Sequence, residues 1–93
     1  MEAANLNPAT DNQPISADDR GRIGEALRRI REFYGETQTS FARKLDVSRA
    51  TYVQLEKGNA TDQNFDRALE VRGISRDEAI RIYERYHSLF EES

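Results

Sequence analysis

From Ser16 onward the sequence is cut into short pieces by residues that start and stop helices, and this punctuation constrains the fold more than any other feature. Ser16 with Asp19 three residues later has the form of a capping box. Ile23, Leu27, Ile30 and Tyr34 follow at helical spacing, so a first helix is predicted from about Ala17 to Tyr34. Gly35 stops it, because glycine enters the left-handed conformation without a Cβ penalty. Thr37 caps a second helix over about Gln38 to Leu45, with Phe41, Ala42 and Leu45 as its apolar positions. Asp46-Val47-Ser48 is a three-residue link in which Asp46 tolerates the left-handed conformation and Ser48 caps a third helix, about Arg49 to Lys57, ended by Gly58. A fourth helix runs from Thr61 to Gly73, with Phe65, Ala68, Leu69 and Val71 apolar. Ser75 and Glu78 form a second capping box that opens a fifth, in which Ala79, Ile80, Ile82, Tyr83, Tyr86, Leu89 and Phe90 are apolar or aromatic. The expected fold is all-α, a compact bundle of five helices.

Residues 1–15 hold both prolines and no apolar periodicity, which predicts a disordered N-terminal tail. The remainder divides into a helical domain over 16–75 and a C-terminal helix over 76–93. With 93 residues there is room for one core. The absence of cysteine excludes disulfides and thiolate metal sites, and His87 alone cannot build a metal cluster, so no metal or other cofactor is expected. His87 reads as a surface or interface histidine. No N-terminal apolar run resembles an export signal, and no stretch approaches the roughly 18 apolar residues of a membrane span, so a cytoplasmic, non-membrane protein is expected. Scattered carboxylates, with neither a glycine-rich phosphate loop nor a nucleophile paired with a base, argue against an enzyme.

The net charge of −3 argues at first sight against a nucleic-acid partner, but the charges are segregated. Residues 1–19 hold four acids and no base; residues 20–60 hold nine Lys/Arg against five Asp/Glu; residues 61–93 hold five bases against eight acids. The basic block contains the second and third helices. On the third, Tyr52 and Leu55 point back toward Phe41 and Leu45, which leaves Arg49, Ala50, Val53, Gln54 and Lys57 on the other side. Arg can read guanine O6/N7, Gln can read adenine N6/N7, and Ala or Val can touch a thymine methyl. The plainer reading, in which Arg49 and Gln54 are only solvated surface residues, stands beside it. Tyr52 faces the second helix and belongs to the core.

Ile23-Gly24-Glu25-Ala26-Leu27-Arg28-Arg29-Ile30-Arg31, Gly35-Glu36-Thr37-Gln38, Phe41 through Thr51, and Gln54-Leu55-Glu56-Lys57-Gly58 together resemble the Cro and lambda-repressor type of helix-turn-helix protein, the XRE family, over about residues 20–75. The resemblance implies a lambda-repressor-like domain with its helix-turn-helix at the second and third helices. The third helix would enter the major groove of an operator, and the protein would act as a transcriptional regulator, a repressor binding double-stranded DNA. It implies that Gln38 contacts the backbone and reaches a base and that Arg49, Ala50 and Gln54 read bases; Val53 joins the base-reading set from its place on the same exposed side. Thr37, with its neighbouring amides, would hold a phosphate, and Thr51, Lys57 and Asn59 would lie on sugar or phosphate. It also implies a buried ion pair between Arg31 and Glu56; the alternative is a surface pair worth under about 1 kcal/mol. When DNA-bound, such a protein would be associated with the nucleoid.

The sequence departs from the family pattern at Glu36, Asp66 and Arg72, where an apolar residue is usual, at Asp46, where glycine is usual, and at Phe33 and Tyr34, which replace polar residues. The end of the first helix is therefore expected to pack differently. On the fifth helix, Ile82, Tyr83, Tyr86, Leu89 and Phe90 occupy more than one face. The expectation is a homodimer interface, with a purely intramolecular cap as the alternative. An antitoxin-type autoregulator, or an interaction module that binds a protein partner through this helix, remains the competing function.

Overall fold

The structure is a computed structural model that describes residues 13–91, with side chains through residue 87. Among the described residues it is a compact all-α domain of five helices and no strands: α1 (Ala17–Phe33), α2 (Gln38–Leu45), α3 (Arg49–Glu56), α4 (Asp62–Arg72) and α5 (Arg76–Glu91). Residues 1–12 of the expected tail, and the side chains of Leu89 and Phe90, lie outside the described residues.

A hydroxyl satisfies the first free amides of every helix. Ser16 Oγ accepts from the Asp19 amide, Thr37 Oγ1 from Ser40, Ser48 Oγ from Thr51, Thr61 Oγ1 from Asn64 and Ser75 Oγ from Glu78. Only at α5 is the box reciprocal, with the Ser75 amide donating to the Glu78 carboxylate at 2.7 Å. At α1 the Asp19 carboxylate pairs with Arg22 instead. Asp46 ends α2 in the left-handed conformation at φ 60°, without a glycine. The chain turns there through Val47 and re-enters helix at Arg49 after only three residues.

Ile23, Leu27, Phe41, Leu45, Tyr52, Leu55, Phe65 and Leu69 form the core, closed on one side by Ala79 of α5. Phe41 and Tyr52 meet edge to face with ring centroids 5.4 Å apart, which locks the inner faces of α2 and α3 together. Three sequence expectations are corrected. Tyr34 is 63% exposed and does not continue the α1 stripe. Val71 is exposed, because the inner face marked by Phe65, Ala68 and Leu69 passes next through Arg72. Residues 13–15 are seated on the domain: Ile15 is buried, its amide donates to Asp62 Oδ2, and Arg76 Nη1 donates to the Gln13 carbonyl at 2.6 Å.

Helix α3 is held against α1 and α2, whereas α5 packs chiefly on α1 and more lightly on α4. The α1–α3 crossing depends on Gly24. A Cβ at that position would lie 2.6 Å from the Leu55 carbonyl oxygen and 2.8 Å from that of Glu56, and both are backbone atoms that cannot swing aside. Gly24→Ala is therefore expected to lower stability by about 1–3 kcal/mol, although alanine is intrinsically the better helix former. Gly21→Ala, on the same helix with nothing within 4 Å of its Cβ, should be neutral or stabilising. Urea denaturation of the two variants checks this directly.

Candidate functional site

The α2–α3 surface is built outward from a buried ion pair. Arg31, on the last turn of α1, donates from Nε to Glu56 Oε2 at 2.6 Å and from Nη2 to Glu56 Oε1 at 3.2 Å. Its Nη1 donates to the Glu36 carbonyl at 2.8 Å, so one guanidinium ties α1 both to the end of α3 and to the turn before α2. Both residues are buried. Burial works to raise the Glu56 carboxyl, but hydrogen bonds from Arg31 and Gln38, with a looser approach by the Tyr52 hydroxyl, outweigh it and hold the pKa below the ordinary value. Burial, more than its charged neighbours, pushes the Tyr52 hydroxyl well above the usual range, so it stays neutral.

On the outer side of this pair the structure brings together most of the residues picked out from the sequence. Arg49, Ala50 and Gln54 are exposed on α3, Val53 is half-buried beside them, and Lys57 is exposed at the C-cap. Thr37 and Asn59 are exposed at the two edges. Asn59 Nδ2 donates to Gln54 Oε1 at 3.3 Å, and the Asn59 amide donates to the Gln54 carbonyl at 2.8 Å. Thr51 is half-buried, and its hydroxyl accepts from Ser48 Oγ. Gln38 is half-buried and bonded at both ends of its carboxamide, to Glu56 and to Arg49. No protein-family model, curated protein or solved structure matches the chain. The surface is thus characterised by its own chemistry.

That chemistry is set by which cations are already neutralised. On α1, Arg22 pairs with Asp19, Arg28 with Glu25 and Glu32, Arg29 with Glu25, and Arg31 with Glu56; Arg20 reaches Asp62. Lys44 pairs with Glu36. Among the described residues of the basic block, Arg43, Arg49 and Lys57 have no ion-pair partner, and all three lie on α2 and α3 or directly at their ends. The cations of residues 20–60 left without an ion-pair partner are therefore on α2 and α3 or at their ends, and not on α1. Arg43 was missed from the sequence, although its place beside Lys44 in the last turn of α2 was a visible signal. Asp46 is the exposed acid on the same side.

Glu36, Asp66 and Arg72, which stand where the pattern that the sequence resembles has apolar residues, are each held in an ion pair. Glu36 bonds Arg72 as well as Lys44, and the Arg72 guanidinium lies 3.9 Å from the Phe41 ring centroid and 5.3 Å from that of Tyr34. The hydrogen bond from Arg72, aided by Lys44, holds the Glu36 carboxyl below its ordinary value against the opposing effect of burial. Asp66 accepts from Arg76 at 2.8 and 2.7 Å in a two-pronged contact. Charges at three positions where apolar residues were expected thus serve as inter-helix ties.

The residues expected at a dimer interface divide. Ile82 and Tyr83 are half-buried against the core, and the Tyr83 ring lies 4.2 Å from that of His87. Ile82 and Tyr86, with Ile30, Phe33, Tyr34, Arg72 and Ile74, line a groove of about 280 Å³ between the end of α1 and α5. Phe33 at its rim is 77% exposed. Among the described residues no group of three or more His, Cys, Asp or Glu could hold a metal ion, and no helix is long and apolar enough to cross a membrane.

A lowered folded-state pKa for Glu56 means that its contribution to stability is complete above the unfolded value near 4.5 and is lost as pH falls through the folded value. Glu36 contributes in the same window. Glu56→Gln is expected to cost about 2–3 kcal/mol at pH 7, and to flatten part of the acid-side loss. Chemical denaturation of wild type and variant from pH 7 down to pH 3 measures both effects.

Proposed function

We propose that the chain is a sequence-specific DNA-binding regulator of the Cro/lambda-repressor-like kind, a repressor in which α2 and α3 form the helix-turn-helix and α3 enters the major groove. The observation that carries this reading is the outward strip of α3. It combines two side chains able to read bases, Arg49 and Gln54, with small Ala50 and Val53, Lys57 follows at the C-cap without an ion-pair partner, and among the described residues no extensive packing of α5 on α3 covers it. Arg43 and Lys57 are placed to neutralise backbone phosphates, and Thr37, Thr51 and Asn59 to hydrogen-bond them. The buried Arg31–Glu56 pair supports the reading on electrostatic grounds, because a free glutamate at the end of α3 would repel phosphate.

The regulator acts as a homodimer on an inverted repeat. Support comes from the groove between α1 and α5, where Phe33 and Tyr34 stand exposed beside Ile82 and Tyr86. The same groove favours a second reading, in which the chain binds a protein partner through α5, as an antitoxin-type autoregulator or an interaction module would.

Selection of bound fragments from a random duplex pool tests the proposal. Wild type should enrich an inverted repeat whose half-site centres lie about 34 Å apart, and binding should weaken steeply with salt. Arg49→Ala and Gln54→Ala should each lose about 1–3 kcal/mol at one base of the half-site. Equal loss on every sequence would contradict the base-reading roles, and enrichment of single half-sites would contradict the dimer.

A further inference from the structure

Phe33, Tyr34, Glu36 and Arg72, all departures from the pattern that the sequence resembles, meet at one place. Arg72 ends α4, and its guanidinium lies 3.9 Å from the centroid of the buried Phe41 ring and 5.3 Å from that of the exposed Tyr34 ring. With Ile82 and Tyr86 it also lines the groove between the end of α1 and α5. Its Nη2 donates to Glu36 Oε1. Glu36 is held twice more, since its Oε2 accepts from Lys44 Nζ at 2.8 Å and its carbonyl from Arg31 Nη1 at 2.8 Å. The next residue, Thr37, is the cap of α2. Arg72 therefore touches the groove on one side and the start of α2 on the other.

From this joint we infer that Arg72 is a positioning residue that couples the groove to the α2 edge, so that a second copy of the chain seated in the groove strengthens DNA binding. The inference rests on the homodimer and the DNA-reading role proposed above and adds the link between them. Tyr34 is 63% exposed, so in a lone chain water reaches the surroundings of the guanidinium. A body seated over Tyr34 and Tyr86 excludes that water, and the lower local dielectric strengthens the Arg72–Glu36 pair and the contacts with the rings. The pair then holds the turn into Thr37 and Gln38 before DNA arrives, and less ordering is left for the moment of binding. A second copy suits the groove by charge. Glu78 and Arg85 lie beside Ile82 on its α5 wall, two helical turns apart and so on one face. Two α5 helices packed antiparallel about a twofold axis would set Glu78 of each copy against Arg85 of the other. Arg85 has no ion-pair partner among the described residues. Linkage makes the effect reciprocal, so DNA tightens the dimer by the same factor.

The test measures dimer affinity of the full chain by sedimentation equilibrium, with and without a duplex that carries one selected half-site and is too short to reach the second copy. Such a duplex cannot bridge the two copies, so any change in dimer affinity passes through the protein. Wild type is compared with the double variant Glu36→Leu/Arg72→Leu, which replaces the ion pair with apolar side chains, and thermal midpoints are measured alongside. Should the double variant melt early, Arg72→Lys takes its place, because it keeps the charge and loses the planar contact with the two rings. Wild type is expected to dimerise about five- to thirtyfold more tightly when saturated with the half-site. The variant should still dimerise and still bind the half-site, with less than about twofold tightening. If the variant keeps the wild-type factor, or wild type shows no tightening, the coupling is overturned while the dimer and the DNA-reading role stand. If wild type selects no sequence or stays monomeric, the proposed function itself is overturned, and the inference with it.

Discussion

The crossing of α1 and α3 is the contact on which the rest of the structure depends. Gly24 allows the two backbones to approach until only a hydrogen fits against the Leu55 and Glu56 carbonyls. About two helical turns further along α1, Arg31 clamps the Glu56 side chain. The two contacts fix both the distance and the rotation of α3. With that rotation set, Tyr52 and Leu55 must face the core, and Arg49, Ala50, Val53 and Gln54 must face away from it. A buried ion pair adds little net stability over a well-packed apolar pair, since desolvation offsets most of the attraction. Its contribution here is directional: apolar side chains could fill the same space without fixing the azimuth of a short helix.

Charge is distributed on the same logic. An overall charge of −3 gives no hint of an anionic partner. Arg22, Arg28 and Arg29 of α1 are paired with acids at helical spacing, and Arg20 and Arg31 with acids of other elements, which neutralises that helix locally. The cations left without an ion-pair partner among the described residues of the basic block are Arg43 on α2, Arg49 on α3 and Lys57 at its C-cap. A phosphate backbone responds to the local field within about a Debye length, roughly 10 Å, and not to the sum over the molecule. Among the described residues, the acids of α4 and α5 lie on helices whose main packing partners are α1, α2 and each other.

Most of the fold was legible in the sequence because its signals are local. Hydroxyl caps, glycine stops and the 3.6-residue stripe gave all five helices to within a residue or so at each end, and Asp46 announced its left-handed turn. What stayed hidden was whatever depends on a distant partner. Val71 looks like the next core residue of α4, yet the helix turns Arg72 inward, where Glu36 and Phe41 receive it from another element. Ile15 looks like part of a polar tail, and only Asp62 and Arg76, 47 and more residues away, seat that segment. Within the candidate site the outward strip of α3 followed from periodicity. The engagement of both ends of Gln38 could not, because it joins α2 to the two ends of α3.

If α3 reads DNA as proposed, its outward face, aimed by the α1 crossing, is where bound DNA must change the environment of the backbone amides. A heteronuclear NMR titration of the labelled full chain with its selected duplex tests this most directly. The account predicts that the largest shifts fall on Thr37 and Gln38, on Arg49 through Gln54, and on Lys57 and Asn59, with α5 nearly unmoved. Shifts concentrated on α5 and the end of α1, with α3 silent, would contradict it.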